Sequence, residues 1–171
     1  MTWSGRSNLV TAIYLNSRGF AFVLFQESHA PRDWGMVEAR GEDKREKILA
    51  RVDGLFARHR PDVVVLQDTS YIGAHRPHRI RRLNEAIAEV AEQYGFPVIF
   101  ISRVKVRQHF AYLGRVTKDT IAAAIAKHIP AFERFLPPPR KPWQSEDARM
   151  GIFDAAALAL TFFDTNGQAS K

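Results

Sequence analysis

The sequence predicts an α/β fold: a five-stranded mixed sheet, its first three strands antiparallel, flanked by helices on both faces. Three observations predict it. Two apolar runs, residues 10–15 and 20–25, are joined by the turn residues Asn16, Ser17, Arg18 and Gly19 and read as a hairpin. Pro61 and Asp62 launch Val63, Val64, Val65 and Leu66, a continuous apolar run typical of a central strand covered on both sides. Helical spacing then alternates with strand spacing, so right-handed crossovers extend the hairpin into a mixed sheet.

The remaining elements follow in order. Residues 34–39 read as a short edge strand. From Gly41 to Arg60 the spacing is helical, with Ile48, Leu49, Val52, Leu55 and Phe56 on one face and Glu42, Asp43, Lys44, Arg45 and Glu46 in the first turns. His75 to Tyr94 reads as a long helix with Ile80, Leu83, Ile87, Val90 and Ala91 inward. Residues 96–101 give the last strand. Thr117 caps an amphipathic helix over 117–128, which Pro130 stops. The proline-rich segment 137–142 is an extended loop, tethered by Lys141, Pro142 and Trp143, that leads to a final helix over 147–160. One domain is expected over residues 1–171, with 165–171 a loose tail.

Composition narrows the function. The chain carries 25 Lys and Arg against 18 Asp and Glu, a net charge of +7. Nucleic acid is the first expected partner and a membrane surface the second; an ordinary basic protein with no polyanionic partner is the alternative. No apolar run approaches the ~20 residues that span a bilayer, so no membrane insertion is expected. Residues 1–8 lack a secretion-signal pattern, and the absence of Cys excludes disulfides and thiolate metal sites. A cytoplasmic location is expected.

Two basic runs stand out. Arg103, Lys105 and Arg107 alternate with Val104 and Val106 after the last strand. If the strand continues, the three cations share one face and can track a phosphate backbone; a charged edge strand is the alternative. Arg76, Arg79, Arg81 and Arg82 open the long helix beside His75 and His78. Cations there oppose the helix dipole, which favours phosphate contact over a purely structural role. The two histidines lack further ligands for zinc. Tyr71, Phe110 and Tyr112, in loops beside these runs, can stack on splayed bases or serve as packing anchors.

The final helix embeds one carboxylate, Asp154, in the apolar run from Ile152 to Leu160. A buried charge is costly unless a metal, a cation or a hydrogen-bond network meets it; an exposed helix face is the alternative. Three segments, residues 13–23, 61–68 and 151–159, resemble in order and spacing the RuvC-type branch of the RNase H-like superfamily, which includes Holliday-junction resolvases. In that family, acids at the first strand, the central strand and the last helix hold two divalent ions about 4 Å apart across the scissile phosphate. The resemblance implies an RNase H-like fold, DNA as partner ahead of RNA, a homodimer matched to a two-fold junction, and Mg²⁺ or Mn²⁺ if catalysis is retained. Lys118 resembles the family's DNA-holding lysine.

This sequence departs from the pattern. Asn16 stands where the family has Asp, Gln67 where it has Glu, and Gly151 at the earlier acid of the last helix. Amide carbonyls offer lone pairs without the charge that holds a dication. The candidate catalytic set is therefore Asp154, Asp68, Asn16 and Gln67, and the candidate metal set Asp154, Asp68 and Asp147, with Glu146 the alternative acid near the helix start. Strand alternation turns Asp68 away from Gln67 unless the strand ends or bulges there. The expected function is a nucleic-acid-binding domain for branched or structured DNA with a depleted metal site. The alternatives are an active Mg²⁺- or Mn²⁺-dependent endonuclease and a basic protein-interaction scaffold.

Overall fold

The computed structural model describes residues 8–70 and 76–169, with side chains through Asn166. Tyr71 and His75 lie outside the described residues, as do Ser170, Lys171 and the segment 1–7. The strands are β1 (Leu9–Leu15), β2 (Gly19–Gln26), β3 (Pro31–Glu38), β4 (Val63–Gln67) and β5 (Val98–Ile101). The helices are α1 (Lys44–His59), α2 (His78–Gln93), α3 (Arg103–His109), α4 (Lys118–His128) and α5 (Met150–Ala169). The sheet order is β3-β2-β1-β4-β5; β1 is antiparallel to β2 and parallel to β4, and β4 is parallel to β5. The expected mixed sheet is present.

Local chemistry sets the hairpin. The Asn16 side-chain oxygen accepts from the Arg18 and Gly19 amides, both at 2.9 Å, and the Asn16 amide donates to the Gly19 carbonyl at 3.0 Å. Only glycine fits at 19, because a Cβ there would lie 1.9 Å from the Val37 carbonyl oxygen of β3. The edge strand β3 is longer than the sequence suggests, since it follows β2 along eight residues.

Alternation divides the core between the two faces. Val10, Ala12, Val63 and Val65 pack with α3, α4 and α5, whereas Ile13, Leu15, Val64 and Leu66 pack with α1 and α2. Val63 to Leu66 have no exposed surface, as a doubly covered central strand requires. The same alternation places Tyr14 and Gln67 on the α5 side, at the strand ends where the site forms. Among the described residues, no helix is long and apolar enough to cross a membrane.

Three sequence expectations change. Residues 103–107 do not continue a strand: β5 ends at Ile101, Ser102 accepts from the Lys105 amide as an N-cap, and α3 begins. Arg103 and Arg107 then lie about one turn apart while Lys105 points to another side, so the three cations do not share a face. The long helix starts at His78 rather than His75, because Pro77 holds extended backbone (φ −55°, ψ 144°). That leaves Arg76 in the preceding loop. The last helix starts at Met150 and continues through Thr165 to Ala169, so the segment read as a loose tail begins inside a helix. Thr165 and Asn166 bond back to the carbonyls of Thr161 and Phe162.

Candidate nucleic-acid interface

The carboxyl ends of β1 and β4 meet the starts of α3 and α4 and the first turns of α5 around a cavity of about 280 Å³. Tyr14, Gln67, Asp68, Arg76, Arg103, Arg107, Lys118 and Asp154 all line it. Asp68 reaches this cavity with Gln67 because β4 ends at Gln67, which releases the chain from alternation. Asn84 of α2 clamps that end by donating to the Gln67 carbonyl at 2.9 Å.

Lys118 is the hub. Thr117 caps α4 through a full capping box, which fixes Lys118 in the first turn. Its ammonium lies 2.8 Å from Glu146 and 3.4 Å from Asp154, and 5.4 Å from the centre of the Tyr14 ring. Burial opposes the Lys118 charge, but Asp154, Tyr14 and Glu146 outweigh it and hold the pKa above its ordinary value. Burial pushes the Asp154 carboxyl up to about 6; Lys118 opposes that rise and Glu146 adds to it. The carboxylate that the sequence leaves unpartnered is thus met by a protein cation, not an exposed face.

Arg76 reinforces the arrangement. It donates to the Tyr14 hydroxyl at 3.1 Å and to the Leu15 carbonyl, and its guanidinium sits 5.0 Å from the Tyr14 ring centre. Its buried Nε has no partner among the described residues.

The other expected site residues are distributed differently. Asn16 does not line the main cavity, and its carbonyl oxygen is taken by the two turn amides. Asp147 sits ahead of α5, where the Arg149 side chain at 2.6 Å and the Arg149 amide hold its carboxyl down at about 2. Asp68 accepts from the Ser70 hydroxyl at 2.6 Å and amide at 3.0 Å. Arg79, Arg81, Arg82 and Lys105 are exposed and are not among the residues lining the cavity; Arg79 faces Lys44 beside the hairpin turn. Phe110 is buried in the core and cannot stack on a base, whereas Tyr112 is exposed.

Gly151 packs directly on the hairpin. A Cβ there would lie 2.9 Å from Ala21 Cβ and 3.5 Å from Asn16 Nδ2. Gly151→Asp is expected to destabilise by about 2 kcal/mol through overpacking, read as a fall in the urea midpoint. Among the described residues, no three histidines or acids come together in a group that could hold a metal ion.

Sequence reasoning missed Tyr14 and Arg18. The former was legible in principle, since alternation separates it from Ile13 and Leu15; the latter, which lines an adjoining cavity of about 310 Å³ with Asn16, Asp147 and Gly151, had no sequence signal.

Strand order and layering give the chain an RNase H-like fold. No protein-family model matches the sequence, and no curated protein matches it. Among solved structures, the chain is similar to Thermus thermophilus RuvC in complex with a Holliday-junction substrate, at 19% identity and a TM-score of 0.68, covering 94% of this chain and 96% of that one. It is also similar to the yeast mitochondrial Holliday junction resolvase Ydc2, at 13% identity and a TM-score of 0.66, covering 96% and 81%.

Proposed function

We propose that this protein binds branched or structured nucleic acid, DNA ahead of RNA, through the cleft at the ends of β1 and β4, with its metal site depleted. The observation that carries the reading is the gathering of Arg76, Arg103, Arg107 and Lys118 around one cavity. Clustered cations beside strand ends position a phosphate backbone. The similarity to a resolvase bound to a Holliday junction supports a four-way junction as the first substrate to test. Two copies of the chain would match the two-fold symmetry of such a junction.

The donor set does not fit two divalent ions. Asp154 already faces the Lys118 ammonium, Asp147 faces Arg149, and the Asn16 oxygen serves the turn. A dication would have to displace these partners, and hard ions such as Mg²⁺ favour several unencumbered, charged oxygens. One observation favours the nuclease reading: Asp68 and Asp154 line the same cavity.

A labelled four-way junction tests these readings. Its affinity should fall log-linearly with salt with a slope of at least roughly −2, on the order of 10-fold between 50 and 200 mM, for the two exposed arginines Arg103 and Arg107. No cleavage in Mn²⁺ is the expected companion result. Cutting that Asp154→Asn abolishes would establish an active nuclease instead. Folded protein that ignores the junction at every salt concentration would leave the scaffold reading in its place.

A further inference from the structure

The geometry points to the cavity beneath Arg103 and Arg107 as a seat for one unstacked nucleotide, its base inside and its phosphate on the arginines. This inference rests on the nucleic-acid reading above and deepens it.

The walls divide by chemistry. Val106, Val116, Ile121, Phe153 and Leu158 supply an apolar lining, with Phe153 and Leu158 almost fully buried. Arg103 and Arg107 are exposed and so mark the mouth. A phosphate chain follows cations but has no use for an apolar pocket, whereas a nucleobase carries an apolar π-face with polar edges. The volume of about 280 Å³ lies at the low end of ligand pockets, suited to a single nucleotide and too small for a stacked base pair.

Polar groups are placed for such a guest. The Gln67 side-chain amide lines the cavity with no hydrogen bond among the described residues. A free amide offers one donor and one acceptor side to a base edge, the pattern that reads adenine bidentately. Four cations against Asp68 and Asp154 leave the lining net positive, as a phosphate-bearing guest requires. Unstacking a base costs a few kcal/mol, least at junctions and unpaired positions, which are the substrates proposed above.

An extruded nucleotide within a strand and a free nucleoside monophosphate share this chemistry, and 2-aminopurine separates them. One arm places 2-aminopurine at the branch of a four-way junction; the other uses free 2-aminopurine riboside monophosphate. With the unmodified protein, junction emission should rise on binding and become about threefold less quenchable by acrylamide, as expected for a base removed from its stack and enclosed. Val116→Trp, which fills the cavity from a partly buried wall, should suppress both changes. Shielding of the free monophosphate as well would identify a free nucleotide as a guest of the same seat. Junction binding with unchanged emission, or with a rise that acrylamide still quenches fully, would overturn the seat while leaving junction binding intact. Absence of junction binding would overturn both readings together.

Discussion

Reversing the charge of Arg103 and Arg107 together to Glu is expected to weaken four-way-junction binding by on the order of 100-fold at 100 mM salt and to flatten the salt slope by about 2. Both side chains line the cavity and are exposed, so their loss removes phosphate partners without emptying the core. Arg107 also donates to the Val116 carbonyl at 3.2 Å, an exposed bond whose removal should cost under about 0.5 kcal/mol. Lys105 is the internal control. It belongs to the same helix but is not among the residues lining the cavity, and Lys105→Glu should move affinity by less than about threefold. Equal effects from all three would mean that general basicity, not the cleft, attracts the polyanion. Fluorescence anisotropy at several salt concentrations reads both the affinity and the slope.

Lys118→Met is expected to lower stability by about 2 kcal/mol at pH 7.5, measured by urea unfolding. Stripping one partner from a buried ion pair costs about 3–5 kcal/mol, and the lower figure reflects the 37% exposure of the Lys118 side chain. The damage should come from Asp154, largely buried at 14% exposure and left with Arg76 in place of Lys118 to offset its charge. Adding Asp154→Asn to Lys118→Met should therefore restore most of the loss. If the double variant is no more stable than the single one, packing of the Lys118 stem carries the effect.

The pH dependence has a definite sign. The Asp154 carboxyl sits at about 6 in the folded protein against 3.8 ordinarily, so the native state holds its proton more tightly than the unfolded state. Its contribution to stability is fully present below about 3.8 and is lost as pH rises through 6. Relative to Asp154→Asn, the parent should gain about 1 kcal/mol between pH 7.5 and pH 5. The cost of Lys118→Met should shrink over the same interval, as Asp154 takes up its proton. His29, held below its ordinary value by burial and by His128 and His109, titrates in both proteins and cancels in the comparison.

Much of the fold was legible because its signals are local. The Asn16–Gly19 turn, the apolar run from Val63 to Leu66 and the Thr117 cap each act through residues within a few positions, and each forms as expected. The failure over 103–107 is also local. Alternating Arg and Val fit a strand and a helix alike, and the Ser102 cap tips the balance toward a helix. Phe110 shows the other limit: a loop aromatic reads the same whether it faces solvent or core, and only packing buries it.

By itself the sequence determined the order of the strands and of the helices other than α3, the excess positive charge, and the amide, amide and glycine residues at Asn16, Gln67 and Gly151. These are properties of residue type and short spacing, and they need no knowledge of what lies across the sheet. Only the tertiary structure decided that Lys118, 36 positions before Asp154, answers that carboxylate, and that Arg76 from one loop and Tyr14 from the first strand complete its surroundings. The physical reason is that a buried charge fixes the need for a partner but not its address. Strand ends brought together by parallel pairing of β1 and β4, with α4 and α5 packed on one face, supply that address.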